Sequence, residues 1–187
     1  MEELVFILDK SGSMSNLTSD VIGGFNSLIE KQKEEKDTLV TTVLFNDKLK
    51  VLYERKSINE VGLMTKKDYF AEGCTALLDA IGNTLSRVKY KQDENNEKNK
   101  TIVVISTDGY ENSSKEFSYE MINNLINNLK KDGYEFIFSA ANIDSKSECS
   151  KLGIEEDSIL DFECSKEGIE LNYSMMENKI SKIRNKK

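Results

Sequence analysis

The chain of 187 residues has no histidine, no proline and no tryptophan, and only three cysteines. Without histidine the commonest general base is gone, and with it the Ser-His-Asp and Cys-His arrangements and the usual transition-metal ligand. Most hydrolase chemistries are thereby excluded. Without proline, turns must rely on glycine, asparagine and aspartate. Cys74, Cys149 and Cys164 are odd in number, far apart and in no Cys-x-x-Cys spacing, so neither a disulfide framework nor a zinc site is indicated. Each is expected to be a small buried hydrophobe. No apolar stretch reaches membrane-spanning length, and the first apolar run follows Glu2 and Glu3, the reverse of a signal peptide's basic flank. A cytoplasmic location is expected, with no membrane partner. A net charge of −7 argues against nucleic acid as a partner.

With 38% hydrophobic and 32% charged residues the composition suits a globular domain rather than a disordered chain, and the length suits one domain over residues 1–187. The short apolar run Leu4-Val5-Phe6-Ile7-Leu8 reads as a strand buried on both faces, which places Asp9 at its carboxyl end. That edge is where open α/β sheets bind ligands. In Asp9-Lys10-Ser11-Gly12-Ser13, one carboxylate and two hydroxyls alternate along a turn that Gly12 lets bend tightly. Three hard oxygen donors near one point suit a small dication.

Further along, Thr18 or Ser19 is expected to cap a helix with the stripe Val21, Ile22, Phe25, Leu28 and Ile29, stopped by the charged stretch Glu30 to Asp37. Thr38 to Phe45 and Lys48 to Tyr53 form a hairpin about Asn46-Asp47, the second run being a charged, antiparallel edge strand. A short helix is expected around Asn59 to Met64, and a longer one begins near Cys74 to Ile81, with Thr75 at its N-terminus. Lys89 to Lys100 reads as an exposed loop. Thr101 to Ser106 repeats the first pattern, a buried strand ending in Thr107-Asp108-Gly109. Then follow a helix capped by Ser113 or Ser114, a strand over Tyr134 to Ala141, a short helix over Lys146 to Leu152, a last strand over Ser158 to Phe162, and a helix over Lys166 to Ile183. Strands alternating with helices predict an α/β sheet, mostly parallel with one antiparallel edge strand and helices on both faces.

Asp9-x-Ser11-x-Ser13, Thr75 in Gly73-Cys74-Thr75-Ala76-Leu77, and Asp108 in Thr107-Asp108-Gly109 together resemble the metal-ion-dependent adhesion site (MIDAS) of von Willebrand factor A domains. The resemblance runs from Leu4 to about Ile183, and Ala140-Ala141-Asn142-Ile143-Asp144 resembles a piece seen in bacterial intracellular members. It implies a Rossmann-like, doubly wound sheet in which the Asp9 and Asp108 strands are neighbours. Adjacent strands lie about 4.8 Å apart and Mg–oxygen distances are about 2.1 Å, so one ion would reach both strand ends. The resemblance further implies that Asp9, Ser11, Ser13, Thr75 and Asp108 hold Mg2+, with Mn2+ or Ca2+ as alternatives, and that a Glu or Asp of a protein partner completes the metal's shell. Met14, Ser15, Asn16, Glu72, Tyr110, Glu111 and Asn112 are expected on the loops that set specificity. Asn142 and Asp144 are read first as a strand end and a turn, with the metal rim as the other role.

Bland alternatives accompany each piece. The serines can cap a helix, Thr75 can serve as an N-cap, and Lys10 can be a solvated charge. A non-enzymatic binding module is expected. The competing classes are a metal-dependent phosphoryl-transfer enzyme and an assembly or regulatory subunit of an ATPase complex that does not use the metal. Ser11 stands where a haloacid-dehalogenase pattern would place a second aspartate, and no Gly-x-x-x-x-Gly-Lys-Ser/Thr run is present.

Overall fold

A computed structural model describes residues 1–34 and 37–186. Its centre is β1 (Glu2–Asp9), whose alternating side chains serve two cores. Leu4, Phe6 and Leu8 join one cluster, and Val5 and Ile7 join the other. Such a strand must be covered on both faces, and that requirement makes the molecule a three-layer α/β sandwich.

The other strands are β2 (Thr38–Phe45), β3 (Leu49–Ser57), β4 (Lys100–Thr107), β5 (Tyr134–Ala140) and β6 (Ile159–Asp161), in the sheet order β3-β2-β1-β4-β5-β6. Every pairing is parallel except β2 with β3, so β3 is the antiparallel edge. The helices are α1 (Thr18–Gln32), α2 (Leu77–Glu94), α3 (Tyr119–Lys131), α4 (Ser145–Leu152) and α5 (Lys166–Asn185). Phe25 and Leu28 of α1 and Met176 and Ile180 of α5 cover the Leu4 face, while Ile81 of α2, Ile126 of α3 and Leu152 of α4 cover the Val5 face. The strand order reverses at β1 and β4, which places Asp9 and the residue after Thr107 at the switch point where such sheets bind ligands.

Several local expectations are corrected. Of the Lys89 to Lys100 stretch only residues 95–99 form a loop: α2 runs on to Glu94, its polar turns supported by pairs of Lys89 with Asp93 and Lys91 with Glu94, and Lys100 already begins β4. Neither Thr18 nor Ser19 caps α1, because a 3-10 turn over Gly12–Leu17 leads straight into the helix, and the Thr18 hydroxyl donates back to Ser15 O at 3.1 Å. The cap of α3 is Ser118, whose hydroxyl accepts the Met121 N–H at 3.3 Å, so Ser113 and Ser114 lie outside the helix. The helix expected near Asn59 to Met64 is a single 3-10 turn over Ile58–Glu60. Of the cysteines only Cys149 is buried, while Cys74 and Cys164 are exposed. Part of the expected stop of α1 falls on residues 35 and 36, outside the described residues. Among the described residues, no helix is long and apolar enough to cross a membrane.

The seam between α1 and α5 depends on a missing side chain. A Cβ on Gly24 would lie 2.1 Å from Cδ2 of Tyr173, whereas one on Gly23 would meet nothing within 4 Å. Gly24→Ala is therefore expected to destabilise the protein by about 2 kcal/mol through overpacking. Gly23→Ala, one position away, is expected to stabilise it by up to about 1 kcal/mol through helix propensity. Urea denaturation of the two variants beside the wild type measures the contrast in sign.

Candidate metal centre

Parallel pairing brings Leu8 opposite Ser106, so the chain leaves β1 and β4 at the same height. Thr107 falls in step with Asp9, and Asp108 follows one residue further on the neighbouring strand's exit; both carboxylates are only 3% exposed. Asp9 is held from both sides: its Oδ1 accepts the Ser11 N–H at 2.7 Å and its Oδ2 accepts the Thr107 hydroxyl at 2.6 Å. The Ser13 hydroxyl donates to Asp108 Oδ1 at 2.6 Å, and the Ser11 and Ser13 hydroxyl oxygens lie 3.2 Å apart. Thr75 arrives from the segment before α2; its N–H donates to Asn112 Oδ1 at 2.9 Å, and its hydroxyl oxygen would sit 3.6 Å from a Cβ placed on Gly109. Asp9, Ser11, Ser13, Thr75 and Asp108 thus lie on connections at one sheet edge.

The electrostatics of this cluster are unbalanced. Burial raises the Asp9 carboxyl from the usual 3.8 to about 6; the hydrogen bonds from Thr107 and Ser11 pull it down, and the neighbouring Asp108 charge adds to the rise. Burial also raises Asp108, against the hydrogen bond from Ser13. The partners of both carboxylates are hydroxyls and backbone N–H groups rather than cations. No group of three or more His, Cys, Asp or Glu gathers among the described residues. The donors are two carboxylates and neutral hydroxyls, all hard oxygens, and that set fits a small divalent cation better than a soft metal.

Three connections carry these donors, and hydrogen bonds tie them together. The Lys10 N–H donates to Phe45 O at 2.7 Å, the Glu72 N–H to Lys10 O at 2.9 Å, the Gly12 N–H to Gly73 O at 3.1 Å, and the Ala76 N–H to Asn46 O at 2.9 Å. Gly73 permits this course because its φ of +79° is costly for any side chain. The Asn46 side chain adds a bond to Glu72 O at 2.8 Å. Beneath them the fully buried Tyr69 donates its hydroxyl to Asp9 O at 2.6 Å. Thr107, Tyr69 and Asn46 are functional supports that sequence reasoning missed. Thr107 stands within the quoted Thr-Asp-Gly piece, whereas Tyr69 and Asn46 leave no local signal.

Other expected roles change. Thr75 is not the cap of α2, since the free N–H groups of Leu78 and Asp79 go to Glu111 Oε2 and Ser114 Oγ, each at 3.0 Å. Glu111 is therefore turned toward the helix, where it also accepts from the Ser113 and Ser114 N–H groups, and is not a rim residue. Met14 is in the core, not on the rim. Asp144 caps α4 by accepting the Ser147 N–H at 3.0 Å, and Asn142, in a left-handed conformation, donates to Cys164 Sγ at 3.0 Å. The turn reading holds for both.

The family model of the von Willebrand factor type A domain matches residues 3–170. The chain belongs to that family. Among solved structures, this VWA domain is similar to manganese-loaded TRAP protein of Plasmodium vivax (18% identity, TM-score 0.68, covering 98% of this chain and 73% of that one). It is similar to the mussel byssus proximal thread matrix protein 1 with a zinc-occupied MIDAS motif (17% identity, TM-score 0.68, 96% and 45% covered). It is also similar to the conserved hypothetical protein BatB of Bacteroides thetaiotaomicron (12% identity, TM-score 0.63, 100% of both chains). At these identities the likeness establishes the fold alone. No curated protein matches in sequence.

The raised carboxyl makes a pH prediction for the protein without divalent cations. A carboxyl whose folded pKa exceeds its unfolded one stabilises the fold below the unfolded value, and that contribution is lost as pH rises through the folded value. For Asp9, with values of 3.8 and about 6, the loss amounts to about 3 kcal/mol across that window. Asp9→Asn should therefore gain on the wild type as pH rises from 4 to about 7. Thermal melts in EDTA at several pH values measure the difference.

Proposed function

We propose that this VWA domain is a metal-dependent protein-binding module, not an enzyme, and that its cluster at the switch point is a MIDAS. The observation that carries the reading is the pair of desolvated carboxylates, Asp9 and Asp108, at neighbouring strand exits beside hydroxyls, with no cationic partner among the described residues. Asp9, Ser11, Ser13, Thr75 and Asp108 would hold Mg2+, with Mn2+ or Ca2+ as substitutes. A bound dication supplies an electrophilic centre for an oxygen ligand, since two carboxylates do no more than balance its charge. The manganese-loaded TRAP and zinc-occupied mussel structures support metal binding on this fold.

The protein's own residues do the remaining work. Thr107 and the Ser11 N–H fix the orientation of Asp9, and Ser13 fixes Asp108. The tied connections hold Thr75 across from them. What this arrangement would receive is an Asp or Glu of a protein partner. The absence of histidine supports binding over acid-base catalysis. The exposed, free Cys74 and Cys164 support a reducing, cytoplasmic setting.

Calorimetric titration with Mg2+ tests the proposal. Wild type is expected to bind, and Asp9→Ala and Asp108→Ala to lose binding, with circular dichroism unchanged. Their melting temperatures in EDTA should not fall, because each variant removes a carboxylate that burial penalises. Equal Mg2+ heats in wild type and variants would overturn it.

A further inference from the structure

Two exposed aromatic residues, Phe70 and Tyr110, sit on connections that the fold ties to the ends of β1 and β4. Phe70 is 65% exposed and Tyr110 is 49% exposed. Phe70 follows Tyr69, which is anchored to Asp9 O, and precedes Glu72, whose N–H is bound to Lys10 O at 2.9 Å. Its backbone is therefore pinned to the end of β1, the strand that supplies Asp9. Tyr110 lies two residues after Asp108, and its hydroxyl accepts the Asp144 N–H at 2.8 Å, joining the connections after β4 and β5. Phe70 thus lies on the connection tied to the end of β1, and Tyr110 on the connection that leaves β4 after Asp108 and is tied to the one after β5. Tyr110 was expected on the rim from sequence; Phe70 was not.

An exposed aromatic with a fixed backbone is the arrangement found at binding hot spots, because it offers large apolar area and loses little freedom when covered. A single acidic side chain offers only oxygen to a metal and would leave the Phe70 ring in water. An acidic side chain beside an apolar one covers both features at once. Lys10 stands next to the same anchor, half-buried, with its ammonium free of hydrogen bonds and ion pairs among the described residues, and it adds positive charge on the side where an acidic segment would approach.

We infer that the partner segment carries an apolar side chain directly beside its acidic residue, and that Phe70 is the residue of this chain that reads it, with Tyr110 bounding the other side of the site. This rests on the metal-site reading above and adds the second half of the recognition element. Leu63, 62% exposed on the same connection but placed between the Gly62–Tyr53 and Met64–Asn26 bonds, belongs to the β3 and α1 side and has no part in it.

The test uses a phage library of random heptapeptides, selected on the wild-type domain in Mg2+ and eluted with EDTA. Eluted clones are expected to carry Asp or Glu with Phe, Leu, Ile or Met at the adjacent position. A synthetic peptide of that consensus should bind Phe70→Ser about tenfold more weakly or worse, while Leu63→Ser binds as wild type and both variants keep the wild-type Mg2+ titration. Clones with an acidic residue but no apolar neighbour, or a Phe70→Ser affinity within about twofold of wild type, would overturn this inference and leave the metal-site reading standing. If EDTA releases no clone that Mg2+ retained, both fall together.

Discussion

Two carboxylates are out of water side by side because β1 and β4 run parallel and in step. Once Leu8 stands opposite Ser106, Asp9 and Asp108 must emerge at neighbouring strand ends, under the helices that cover both faces of the sheet. Desolvation opposes charge on each, and for Asp9 the neighbouring Asp108 charge adds a smaller push in the same direction. The surroundings answer with dipoles: a hydroxyl from Thr107, one from Ser13 and a backbone N–H from Ser11. Neutral donors of this kind moderate the strain without removing it, and the site stays electronegative at its centre.

The rest of the switch-point edge serves to hold that centre still. None of the three connections is long enough to form a core of its own, yet each is bonded to another: Lys10 to Phe45, Glu72 to Lys10, Gly12 to Gly73, Ala76 to Asn46 and Thr75 to Asn112. The tip of the β2–β3 hairpin, which supplies no donor to the cluster, thereby sets where Thr75 sits. Tyr69 supports the end of β1 from inside the molecule, with its hydroxyl on Asp9 O. A phenol so enclosed is driven well above its ordinary pKa by burial, so it stays a donor at any ordinary pH.

The centre of the sheet was legible because β1 and β4 are buried on both faces and so are written as largely apolar runs, the first ending in Asp9 and the second followed by Asp108. Asp9 and Asp108 were legible for the same reason: position at a strand end carries information that the residue types alone do not. What escaped reading was held by long-range bonds. Glu111 binds the start of α2 across 33 residues and Tyr69 reaches Asp9 across 60, and nothing in the nearby sequence marks either. Ser113 and Ser114 looked like caps by composition, but Ser118 won because it lies next to the first turn of the amphipathic stripe. The true length of α2 was hidden because its last turns are polar on nearly every side and hold together by lysine–carboxylate pairs.

Cross-bonding among the connections also bears on how a ligand would come and go. A surface already ordered has little freedom left to surrender, so a small epitope is enough to be held. It also needs no rearrangement before contact, which leaves encounter at the ordinary diffusive pace and places the lifetime of any complex in the breaking of a few contacts at its centre. Such a face works as a socket whose shape precedes its plug.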